Sequence, residues 1–177
     1  MIILMSLSLK AYHKWNRYVI QAGTYSCTFS GEPLSDLNEI EFTFRTNTTW
    51  YYDETDKPLW RKIRGLSNGD YQENSSAHLA YHCINDSLLV IGACCFVNGV
   101  SPEENATQQT ILDTIDLFGE YSCRIIREEG LYKVYFEDKY WHYPAGEELD
   151  WGYRVDPFVD PGFALDHDWM VDLLDMH

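Results

Sequence analysis

Residues 75–102 read SSAHLAYHCINDSLLVIGACCFVNGVSP. The stretch opens on alternation. Ala77, Leu79, Tyr81 and Cys83 fall on one face of an extended chain, and His78, Ala80 and His82 on the other. Asn85-Asp86 supplies a turn. Residues 88–97 are then apolar on both faces, as in a central strand covered from two sides. Asn98-Gly99 gives a hairpin-type turn. Two such neighbouring strands, one apolar throughout, predict a layered β fold.

The flanking sequence continues the pattern. Residues 39–45 place Ile40, Phe42 and Phe44 against Glu41, Thr43 and Arg45. Residues 60–66 read as a strand that Ser67-Asn68-Gly69-Asp70 ends. Residues 121–127 and 131–137 form a second hairpin across Glu128-Glu129-Gly130, with Tyr132, Val134 and Phe136 inward and Lys133, Tyr135 and Glu137 outward. Residues 24–29 are a short β-rich run, residues 101–109 a polar loop, and Tyr140-Trp141-His142-Tyr143 a loop edge. Residues 3–20 suit a short helix or an opening strand. Many short strands at this spacing predict an all-β, two-sheet antiparallel sandwich. The expected organisation is one domain over 1–177, with residues 1–15 as a peripheral arm or short helix.

The totals narrow the partners. The 177 residues carry a net charge of −15, which repels phosphate backbones and anionic lipid. No nucleic acid and no membrane insertion are expected. No run approaches the length of a membrane span. The N-terminal MIILMSLSLKAYHKW lacks the basic start and small-residue cleavage site of a signal peptide, so a cytoplasmic or virion location is expected. Cys27, Cys83, Cys94, Cys95 and Cys123 are an odd set without Cys-x-x-Cys spacing, which reads as free buried thiols.

The chain resembles a group of concanavalin-A-like jelly-roll proteins. These carry a strand close to NSARFGW, a central strand ending YCYVNG, and a GYxLxPYFGG…PHDM run before a last strand. The corresponding stretches here are residues 75–81, 94–99 and 152–170, and Trp60-Arg61-Lys62-Ile63-Arg64-Gly65 resembles the preceding WNKLFGF strand. The resemblance covers residues 16–174 and implies the jelly-roll sandwich of lectins, glucanases and alginate lyases. Where the pattern has a strand arginine, this chain has His78. Its outward aromatic positions are Gly92 and Cys94 here, and only Phe96 stays aromatic.

The chemistry of those enzymes is not written in this sequence. The Glu-x-Asp-x-x-Glu pair of jelly-roll glucanases is absent, although Glu39 and Glu41 share a strand face. The arginine-rich strand, Gln-x-His pair and Tyr-Lys strand of the lyases are not intact, with Arg61-Lys62-Ile63-Arg64 the nearest fragment. His78 and His82 stand about 13 Å apart on a strand, too far for one ion. The acidic tail, from Glu147 to Asp175, has the hard oxygens of a structural calcium site but no EF-hand spacing. No catalytic residue and no cofactor are therefore expected. The expected function is a non-catalytic binding module that takes a neutral glycan on the open face of one sheet, through His78, His82, Cys94, Phe96, Arg124 and Tyr135. The alternative is a structural or interaction protein, a homo-oligomer or subunit of a larger assembly such as a phage virion surface or decoration component, with a protein partner.

Overall fold

The computed structural model describes residues 14–27, 37–53, 59–68, 75–100, 108–146, 152–160 and 165–176. The described residues form strands β1 (Asn16–Ile20), β2 (Glu39–Arg45), β3 (Arg61–Asn68), β4 (Ser75–Cys83), β5 (Leu88–Phe96) and β6 (Gln109–Asp116). These are followed by β7 (Glu120–Glu128), β8 (Leu131–Phe136), β9 (Lys139–Pro144), β10 (Tyr153–Val155) and β11 (Trp169–Asp175). A 3-10 turn, Thr48–Trp50, is capped by the Asn47 side chain, which accepts from the Thr49 amide. A six-stranded sheet runs β1-β11-β2-β7-β8-β9 and a five-stranded sheet runs β10-β3-β4-β5-β6. The strand pairs within both are antiparallel. The two-sheet sandwich is thus as the alternation predicts, and the segment around residues 16–20 is strand.

Two differences have simple causes. β9 was expected as a loop edge, but Tyr140-Trp141-His142-Tyr143 lies in a strand paired with β8. Aromatics at every position hide a period of two. β6 pairs with β5 although only Ile115 is buried along it. An edge strand with so little buried surface carries no hydrophobic alternation to read. The Glu129-Gly130 turn does form, with both residues at positive φ (54° and 70°), as a tight hairpin demands. Of the arm expected over residues 1–15, residues 1–13 lie outside the described residues, as do residues 101–107 of the loop expected over 101–109, whose last residue, Gln109, opens β6.

The core between the sheets is aromatic. Trp50 stacks on Phe44 at 5.5 Å, meets Tyr81 at 4.6 Å and takes Trp169 edge-on at 5.7 Å. Through this core runs a charged cross-brace. The β3–β4 register shifts between Lys62 and Arg64, so Arg61 faces Tyr81 and Arg64 faces Leu79, both on the inner side. Without that bulge, residues three apart would point to opposite faces. Arg64 is fully buried. Its Nη1 donates to the Tyr18 hydroxyl (3.2 Å) and to Asp156 (3.0 Å), and its Nη2 to both oxygens of Asp175 (2.6 and 2.8 Å). Arg154 adds a second cation on Asp175 at 3.2 Å. One guanidinium thus joins β3 of one sheet to β1 and β11 of the other. Burial pushes the Asp156 carboxyl up from its ordinary value, against the pull of Arg64 and Arg154.

Arg64→Ala leaves the part-buried Asp156 and Asp175 carboxylates facing each other with Arg154 as their remaining cation. The expected loss is about 3 kcal/mol, because stripping one partner from a buried pair strands the other charge. In a chain of this size that is about 10 °C in Tm. Calorimetry of Arg64→Ala beside the triple variant Arg64→Ala/Asp156→Asn/Asp175→Asn checks it. The triple variant should recover part of the loss, and equal Tm values for wild type and Arg64→Ala would contradict the brace.

Candidate functional site

The six residues expected on one open face divide between two. His78 on β4 and Cys94 and Phe96 on β5, with His82 further along β4, lie on the outer face of the five-stranded sheet. Arg124 on β7 and Tyr135 on β8 are direct cross-strand partners on the outer face of the six-stranded sheet. The thickness of the sandwich separates the two groups. Alternation gives the parity of each side chain but not the sheet to which its strand belongs.

The first group is not on an open face at all. His78 and Cys94 are fully buried, Phe96 is buried, and only His82 keeps partial exposure. The outer side chains of this sheet are small: Gly65, Ala80, Gly92 and Cys94. Their smallness makes room for rings laid flat across the strands. A Cβ on Gly92 would stand 2.5 Å from the Trp60 ring, and one on Gly65 would stand 2.1 Å from the His78 ring. Trp60, Ala80, Val90 and Cys94 form a second apolar cluster there. Phe158, bridged to Lys62 along the edge after β10, meets His78 edge-on at 5.3 Å, and Phe96 meets it at 5.7 Å. Lys62, also fully buried, pairs with Asp160 beside this ring. The face thus forms a minor core, which corrects its expected role as an exposed glycan platform.

His78 is accordingly held neutral. Burial, helped by the nearby Lys62 charge, lowers its pKa to about 3 from an ordinary 6.5. Its Nε2 bonds the Ser76 hydroxyl at 2.8 Å. Three cysteines are likewise held as thiols: burial pushes Cys95 and Cys123 well up and Cys27 to about 11. Cys83, beside His82 in sequence, donates to the Trp50 carbonyl at 3.3 Å. Much of the acidic tail is also committed. Asp156 and Asp175 hold Arg64, Asp160 holds Lys62, Asp172 holds Arg17, and Asp168 accepts from the Ala22 amide. Glu147, Glu148 and Asp150 lie outside the described residues. Among the described residues no cluster of three or more His, Cys, Asp or Glu side chains could hold a metal ion.

The face that does stay open is that of the six-stranded sheet. Tyr135 and Tyr140, partners across β8 and β9, have ring centroids 4.9 Å apart. His142, two residues along the same face, stacks on Tyr140 at 5.5 Å and an interplanar angle of 22°. Tyr140 is 49% exposed. Ion pairs border this strip: Arg124 with Glu39, and Lys133 with Glu128. The hydrogen bond from Arg124 to Glu39 pushes the guanidinium pKa up from its ordinary value. Sequence reasoning reached Tyr135 and Arg124 but placed Tyr140 and His142 on a loop.

The depressed His78 pKa fixes a pH dependence. Between pH 6.5 and about 3 the unfolded chain binds a proton at His78 that the folded chain does not. Its contribution to stability is therefore complete above pH 6.5 and is lost as pH falls, by up to about 1.4 kcal/mol per pH unit. Urea titrations of wild type and His78→Gln between pH 7 and 5 should show the wild type losing stability more steeply. Parallel slopes would contradict a neutral buried His78.

No family model matches the chain. In sequence it is 33% identical over 75 residues to the phosphoribosyl-AMP cyclohydrolase of Clostridium botulinum (strain Kyoto / Type A2), across 38% of this chain and 64% of that enzyme. The chain thus spans less than two thirds of the length of the curated relatives it matches. In structure it is similar to the marine PL7 alginate lyase AlyA1 of Zobellia galactanivorans, with a TM-score of 0.56 at 10% identity over 91% of this chain and 75% of the lyase. A second alginate lyase, from Alteromonas sp. 272, gives a TM-score of 0.47 at 9% identity over 80% and 72% of the two chains. The sheet order and the first of these likenesses agree on the fold, a two-sheet antiparallel jelly-roll sandwich similar to that of the alginate lyase.

Proposed function

We propose that this protein is a non-catalytic binding module that takes a neutral glycan on the outer face of its six-stranded sheet. The observation that carries the reading is the exposed strip of Tyr135, Tyr140 and His142. Sugar rings present C–H faces that pack on aromatic faces, while their hydroxyls bond to polar groups at the edges. Arg124, Glu39, Lys133 and Glu128 supply such groups on either side of the strip. Their charges are paired, and the chain carries −15 overall, so a neutral ligand fits better than a polyanion. Glu39 and Glu41, whose shared face raised carboxylate chemistry, lie beside Arg124, and Glu39 is committed to it. The activities named for the cyclohydrolase and lyase relatives belong to those proteins. A protein partner is the other occupant such a strip serves, since exposed tyrosines also anchor interfaces and β9 is the edge strand of its sheet.

A glycan array probed with wild type and with Tyr135→Ala/Tyr140→Ala tests the reading. Binding to neutral oligosaccharides that the double variant loses at least tenfold is expected, as for removal of two stacking rings worth about 1 kcal/mol each. No binding to any glycan by folded wild type would overturn it. If light scattering then showed a multimer that the double variant dissolves, the strip would be a subunit interface.

A further inference from the structure

We propose that the cavity where β3 begins is a second binding site, for a small carboxylate that also carries hydroxyl or amino groups. It shares no residue with the aromatic strip and stands independently of the glycan reading. Three cations of β3 are buried: Arg61 at 3% exposure, and Lys62 and Arg64 at 0%. Lys62 has Asp160, and Arg64 has Asp156 and Asp175. Among the described residues no carboxylate pairs with Arg61. A buried charge without a counter-ion is costly, and a ligand anion is the natural way to meet that cost.

The surroundings shape the ligand. The Arg61 guanidinium lies 3.6 Å over the Tyr52 ring, so its stacked face is closed to an anion. Its Nη1 donates to the Tyr81 hydroxyl at 3.5 Å, and that hydroxyl in turn donates to the Trp50 carbonyl at 3.1 Å. The remaining N–H groups lie in a plane whose fork matches a carboxylate. Arg61 lines a cavity of about 190 Å³ with Leu59 and Leu165 as apolar walls. That is the volume of roughly six waters, enough for a ligand of a few carbons. Asp53 and Asp166 line the same cavity and are exposed at its rim. They repel a multiply charged anion such as phosphate and accept hydrogen bonds from hydroxyl or ammonium donors. A hydroxycarboxylate or an amino acid satisfies both ends: its carboxylate on Arg61, its donors on Asp53 and Asp166.

The test is a titration of folded wild-type protein with L-lactate, read by NMR at the arginine Nε–Hε signals. The Arg61 signal is assigned by its disappearance in Arg61→Lys. Lactate should shift that signal saturably, acetate should bind more weakly, and inorganic phosphate should not compete. Asp53→Ala/Asp166→Ala, two exposed substitutions, should strengthen acetate by removing two negative charges and lower the preference for lactate over acetate about tenfold, the worth of one hydrogen bond to a charged acceptor. No saturable shift of the Arg61 signal with lactate overturns the site. Phosphate binding as tightly as lactate overturns the carboxylate assignment. An unchanged lactate-to-acetate preference in the double aspartate variant overturns the role of the rim. The wild-type titration decides the first two points even if an Arg61 variant fails to fold.

Discussion

A guanidinium with no contact with water ties the two sheets together. Arg64 leaves β3 on the inner side only because the strand bulges at Lys62, and there it meets Tyr18 of β1, Asp175 of β11 and Asp156 after β10. The geometry explains the composition of the C-terminal third. Its aspartates look like an excess of negative charge, yet Asp156, Asp160 and Asp175 are the counter-ions of cations buried in β3. The last strands therefore dock through charge as well as through Val171, Leu173 and Trp169 in the core. Buried ion pairs of this kind contribute little net stability but penalise every arrangement that separates them. Their effect is to fix which segment lies against β3.

The same strand controls what the five-stranded sheet can do. Lys62 points outward from it, and its pairing with Asp160 holds the segment after β10 along the sheet edge, with Phe158 over His78. Trp60, just before β3, lies across Gly92. Small side chains that look like lost binding surface are instead the seats for these rings. A sheet face filled this way is part of the interior, and its histidine is neutral because it is interior. Among the described residues the aromatic strip of the opposite sheet and the rim of the cavity at Arg61 stay exposed, and the two proposals place recognition there.

Much of the architecture was legible because strands with one buried face must alternate. β2, β4, β5, β7 and β8 were all visible in the sequence, including which side chains of β8 face the core. What period-two patterning cannot encode is sheet membership, and so His78 and Tyr135, both outward by parity, were joined into one site although the sandwich lies between them. Nor does it encode cover. Nothing in the alternation of β4 reveals that Phe158, 80 positions away, closes over His78. In the sequence Arg61 stands only as part of a strand resemblance and as a fragment of an arginine-rich strand. Its distinguishing property, burial without a carboxylate, exists only once the tail has distributed its aspartates to Lys62 and Arg64.

Electrostatics then separates the two remaining surfaces. On the outer face of the six-stranded sheet, Arg17 pairs with Asp172, Arg45 with Glu120, Arg124 with Glu39 and Lys133 with Glu128. Exposed pairs of this kind add little to stability. They do neutralise the positive charge of the face, so a polyanion approaching a chain of net charge −15 finds no basic track to follow. Under the glycan reading, a polyol meets donors and acceptors on both sides of three rings. The Arg61 cavity is the converse case. Its positive charge is buried and unpaired by any described carboxylate, so it attracts strongly at short range, while the acidic rim limits entry to ligands that bring donors of their own. The two proposals thus give one acidic protein a neutral platform and a selective anion socket, and the division follows from where the β3 cations find their partners.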